Sequence, residues 1–136
     1  MNDTDKLKIY FITASLDLGL IYLCTMLNLP LIDKLWCYIT LILHSIFYYG
    51  LYHNNRNILD TLHHFIFILP VLSTFVNTVY PKILSLFLII TIQFLWVIEE
   101  KCILNEEKST IGFGKLCWIA TISLTTILSF QIGKLI

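Results

Sequence analysis

Charge is what this sequence has least of. Only 13% of its residues are Asp, Glu, Lys or Arg, where a soluble domain carries roughly a quarter. With about half the usual solvating side chains missing and 57% of residues hydrophobic, no water-soluble globule can be assembled, and no nucleic-acid partner is expected. Catalytic signatures are missing as well. There is no phosphate-binding glycine loop, no Gly-x-Ser-x-Gly elbow, no His-Glu-x-x-His and no potassium-filter loop. Four cysteines, Cys24, Cys37, Cys102 and Cys117, form no Cys-x-x-Cys pair, which argues against a zinc knuckle or a dithiol redox motif. No metal ligand set is assigned, and no cofactor is indicated. The longest hydrophilic stretch, Glu99 to Thr110, is too short to fold alone, so the chain reads as a single integral membrane domain.

What is present is long apolar runs. A helix needs about 17 to 25 apolar residues to cross the roughly 30 Å hydrocarbon core. The pattern predicts an all-α, polytopic helical bundle with spans at about 7–29, 35–52, 61–79, 82–98 and 113–133. Pro30 closes the first span, and His53-Asn54-Asn55-Arg56-Asn57 separates the second from the third. Residues 61–98 as one helix would reach about 57 Å, so a break is required, and Asn77 to Lys82, with Pro81, supplies it. The alternative is a re-entrant third segment bent at Pro70. The amino-terminal run has no small-residue cleavage site behind it, so the first span is expected to remain as an anchor.

Basic residues orient the bundle, because Lys and Arg in short loops are retained on the cytoplasmic side. Five crossings place Lys6, Lys8, Arg56, Lys101, Lys108 and Lys115 on one face and only Lys34, Lys82 and Lys134 on the other. The amino terminus is therefore expected inside and the carboxyl terminus outside.

Polar residues inside spans turn toward other helices, since lipid cannot hydrogen-bond. The stripes are Tyr10, Thr13, Asp17, Cys24 and Asn28 in the first span; Cys37, Thr40, His44 and Tyr48 in the second; Asp60, His63 or His64, Thr74 and Asn77 in the third; Ser85, Gln93, Trp96 and Glu100 in the fourth; and Gly114, Trp118, Thr121, Thr125 and Ser129 in the fifth. Most are packing and hydrogen-bond glue. Asp17 is different, because an ionisable group mid-span costs about 2.5 to 3.5 kcal/mol and needs a partner. Counted from the inner boundary it lies at about 15 Å and His44 at about 12 Å, on helices expected to be antiparallel neighbours. Asp17, His44 and Gln93 are thus the candidate ligand- or proton-binding residues.

A second group, Asp60, His63, His64, Glu99 and Glu100, falls at the inner ends of spans three and four, with residue types suited to acid–base chemistry. His63 and His64 are consecutive and point about 100° apart on a helix, so His64, which shares a face with Asp60, is the better candidate to meet an acid. Three function classes follow: a proton-linked carrier or small-ligand binding protein centred on Asp17 and His44, a lipid-modifying enzyme with a His/Glu site at the inner face, and a non-catalytic interaction or scaffold protein. The lipid bilayer is the expected partner, and a carrier built from five short helices is expected to work as a homo-oligomer.

Overall fold

The computed structural model describes residues 3–99 and 111–136, apart from the side chains of His64, Glu99 and residues 111–117. The described residues form five helices: α1 (Asp3–Met26), α2 (Leu31–Tyr52), α3 (Arg56–Ser73), α4 (Val79–Glu99) and α5 (Ile111–Leu135). Consecutive helices pack on one another, α4 also returns to touch α1 and α2, and α5 lies against α4. The result is a four-helix body, α1 to α4, with α5 at its flank.

Four helices, α1, α2, α4 and the Trp118–Leu135 part of α5, are long and apolar enough to cross a membrane. The fifth expected crossing, α3, does not qualify: Arg56, Asp60 and the two histidines dilute its apolar content over a shorter length. Large apolar side chains cover the outside of the bundle, among them Phe11, Leu18, Phe75, Phe94 and Phe130. Such a surface suits lipid and is uncommon on a monomer in water.

Helix ends differ from the sequence expectation in ways the local chemistry explains. Helix α1 stops at Met26 because Pro30 forces extended backbone ahead of itself, and a Leu29 N–H to Leu27 carbonyl bond closes the bend. Helix α2 begins at Leu31, four residues before the expected Leu35, with Pro30 (φ −56°, ψ 155°) at its N-cap. Between α2 and α3 the chain turns on Asn54, whose φ of 52° is left-handed. The Asn55 N–H reaches the Gly50 carbonyl at 2.9 Å and the Asn54 N–H reaches Leu51 at 3.3 Å, the paired bonds of a Schellman motif. Asn55 then accepts from the Ile58 N–H at 3.3 Å as the N-cap of α3, so two asparagines end one helix and start the next.

The α3–α4 turn is built from buried charge. Helix α3 stops at Ser73, short of the expected residue 79, because Lys82 reaches back from the first turn of α4. Its ammonium donates to the carbonyls of Ser73 (3.0 Å), Thr74 (3.1 Å) and Val76 (2.9 Å). Ser73 ends α3, and Thr74 and Val76 lie in the turn just beyond it. Asp33, from the first turn of α2, completes the other half. It accepts from the Asn77 and Thr78 N–H groups at 2.9 and 2.8 Å and from the Thr78 hydroxyl at 2.5 Å. A carboxylate thus caps the amino end of α4 and an ammonium caps the carboxyl end of α3, each matching the sign of the helix dipole. Both side chains are buried, Asp33 completely.

In lipid, tails are as apolar as leucine, so close approach and polar bonds hold helices together rather than the hydrophobic effect. Gly19 and Gly50 provide the close approach. A Cβ at Gly19 would lie 2.9 Å from Leu84 on α4, and one at Gly50 would lie 2.9 Å from Ile58 and 3.2 Å from Leu59 on α3. Around them sit one cluster near the α2–α3 turn (Ile9, Phe47, Leu51, Leu59, Leu62), a second near the α1–α2 turn (Leu20, Leu23, Leu29, Trp36, Cys37, Val76) and an α4–α5 cluster (Ile89, Leu124, Leu128). Cys24 packs against the second cluster, and both Cys24 and Cys37 are free thiols.

Candidate functional site: an Asp–His–Tyr chain beside a cavity

Helices α1 and α2 are antiparallel, and the two polar stripes face each other across their seam. Asp17 lies between two partners on α2. Its Oδ1 accepts from His44 Nδ1 at 2.5 Å and its Oδ2 accepts from the Tyr48 hydroxyl at 3.0 Å. His44 and Tyr48 are one turn apart on α2, so a single carboxylate can bridge them. Tyr10, about two turns toward the amino terminus of α1, stacks on Tyr48 with ring centroids 5.7 Å apart and planes 5° from parallel. The side chains of His44 and Asp17 are 15% and 17% exposed, so the pair is held largely out of solvent.

The hydrogen-bond pattern fixes what the imidazole can do. With Nδ1–H donating to the carboxylate, a neutral His44 keeps a lone pair on Nε2 and can accept a proton or a hydrogen bond there. His44 lines a cavity of about 80 Å³ between α1, α2, α3 and α4, together with Thr13, Thr40, Ile66, Pro70 and Ser85. Asp17 is not on the cavity wall; it stands behind the imidazole and orients it. A second cavity of about 90 Å³ shares Thr13, Phe47, Ile66 and Leu88 with the first and continues to His63, Leu95 and Trp96. By the same measure one water needs roughly 10–15 Å³, so either space admits a molecule several times larger.

The other sequence candidates go elsewhere. Gln93 is not brought to the Asp17–His44 pair, since its amide donates to Thr125 Oγ1 on α5 at 3.4 Å. Asp60 is exposed near the start of α3. His63 sits on the wall of the second cavity and meets Phe67 edge-on at 5.8 Å, at the head of an aromatic line that runs through Trp96 to Trp118. The side chains of His64 and Glu99, and all of Glu100, lie outside the described residues, and with them the inner-face acid–base group. Among the described residues no three His, Cys, Asp or Glu side chains are grouped to hold a metal ion.

Sequence reasoning did not single out Asp33, and it counted Lys82 only among the basic residues that orient the bundle. An acidic residue in a first helical turn looks the same whether it faces water or caps a neighbouring helix 44 positions away. Only the rarity of charge in this chain offered a signal.

The chain matches no protein-family model, and no curated protein or solved structure is significantly similar to it.

Proposed function

We propose that this chain is a five-span integral membrane protein that binds a small, largely apolar ligand in the cavity between α1 and α4, and that the Asp17–His44–Tyr48 chain is the proton-accepting end of that site. The observation that carries the reading is the position of His44, on the cavity wall with Nδ1 engaged by Asp17 and Nε2 left to a ligand.

Five crossings are supported by how α3 lies on α2. The two helices meet at Gly50 and Ile58 near one end, and the Trp36 indole N–H donates to the Leu69 carbonyl at 3.0 Å near the other. Helix α3 therefore runs beside α2 for about 20 Å, and a bilayer thick enough to hold one holds the other. With the basic residues distributed as they are, the amino terminus is cytoplasmic and the carboxyl terminus is not.

The test is extraction. Protein purified in detergent is denatured in organic solvent and the extract analysed by mass spectrometry, for wild type and for Leu88→Trp, which fills the wall shared by both cavities. An apolar species near one per chain in the wild type and depleted in the variant is the expected result, with helical content matched by circular dichroism. Identical extracts overturn the reading.

A further inference from the structure

Five hydroxyl side chains are buried in the described part of the bundle: Thr13, Thr40, Ser73, Ser85 and Thr121. Four of them donate to a carbonyl about one turn back in their own helix, at 2.9, 2.8, 2.6 and 3.0 Å respectively. Ser85 is the exception. It is 2% exposed, its Oγ has no hydrogen-bond partner, and it lines the cavity that His44 lines. Buried polar groups in folded proteins are almost always paired, so a hydroxyl left unpaired on a cavity wall implies an absent partner.

The rest of that wall says what the partner must be. Thr13 and Thr40 have given their protons to Ile9 and Trp36 and can now only accept. The Trp36 N–H is engaged by Leu69. Pro70 has no N–H, so the Ile66 carbonyl lacks its usual i+4 donor. His44, with Nδ1–H on Asp17, offers Nε2 as an acceptor. Among the described wall residues the hydrogen-bonding inventory is acceptors, with Ser85 as the donor. Their heights agree. Asp33 on α2 is level with Asn77 and Thr78 just ahead of α4, and the two helices run in the same direction, so Ser85 stands level with Thr40 or Leu41, about one turn from His44.

We infer that the ligand carries a protic head group, a hydroxyl or a carboxylic acid, which donates its O–H to His44 Nε2 and accepts from Ser85 Oγ, with an apolar chain extending into the second cavity. The inference rests on the ligand-binding reading above and adds the head-group chemistry and Ser85. An ester, ether or ketone of the same shape takes only the Ser85 bond and leaves Nε2 unmatched. The tail runs toward Trp96, eleven residues past Ser85 on α4 and about 16 Å along its axis, near the length of an extended dodecyl chain.

The experiment uses chains brominated at the terminal carbon, which quench a tryptophan they touch. The alcohol ω-bromododecanol, the acid ω-bromododecanoic acid and the ester methyl ω-bromododecanoate are titrated into purified full-length protein in detergent. Saturable quenching by the alcohol, the acid or both, at least about tenfold tighter than by the ester, is expected and names the head. In Ser85→Ala the protic ligand binds about threefold to tenfold more weakly, while the empty protein melts at the same or a higher temperature, because an unsatisfied buried group has been removed. Equal binding of ester and alcohol overturns the head-group assignment and leaves the cavity reading standing. No saturable quenching by any of the three overturns both. A Ser85→Ala variant that melts lower when empty and binds the alcohol unchanged makes Ser85 a packing residue and overturns its role.

Discussion

Removing the Asp33 carboxylate gives the sharpest test of what holds the helices in register. Asp33 accepts two backbone N–H groups and one hydroxyl from the segment ahead of α4, and it is fully buried. In Asp33→Ala those three donors lose their acceptor in a part-buried site, at up to about 1–3 kcal/mol for each group stranded. Relaxation makes such losses less than additive, and breaking a buried charged arrangement typically costs about 3–5 kcal/mol, so that is the expected loss for the alanine variant. Asp33→Asn keeps one acceptor oxygen but turns an NH₂ donor toward the Thr78 groups, and should fall between, near about 2 kcal/mol. The assay is reversible unfolding in mixed micelles, followed by circular dichroism as the denaturing detergent fraction rises. A loss below about 0.5 kcal/mol for Asp33→Ala, the range of ordinary surface substitutions, refutes the cap, as does an asparagine variant less stable than the alanine one.

Other outcomes follow from the same geometry. A double-mutant cycle of Asp17→Ala and His44→Ala should show a coupling of about 1–3 kcal/mol, with Asp17→Asn milder than Asp17→Ala; additive losses would mean that the 2.5 Å contact does not form. Gly50→Leu drives a side chain into Ile58 and Leu59 and should cost about 1–3 kcal/mol, whereas Gly133→Leu, with nothing within 4 Å of the added Cβ, should stay within about 0.5 kcal/mol; similar losses at both sites would contradict the close approach of α2 and α3. A reporter inserted at Asn105 should be cytoplasmic and one fused after Ile136 should not be, and finding the two on exchanged sides, with Lys6 still cytoplasmic, would mean that α3 fails to cross.

Much of this architecture was legible because lipid makes polarity directional. Asp17, His44 and Tyr48 fell on facing stripes, and a short loop between apolar runs implied antiparallel neighbours, so the seam of α1 and α2 could be read in advance. What periodicity does not carry is which neighbour a face meets. Helix α4 touches all four of the others, and its stripe from Ser85 through Gln93 looked like one surface. Over the eight residues between them, at 3.6 per turn, the side chains rotate about 80° apart. That rotation sends Gln93 to Thr125 on α5 and leaves Ser85 on the cavity wall with His44. The two residues therefore belong to different interfaces: Gln93 ties the flanking helix to the body, and Ser85, without a partner of its own, is left facing the space a ligand would fill.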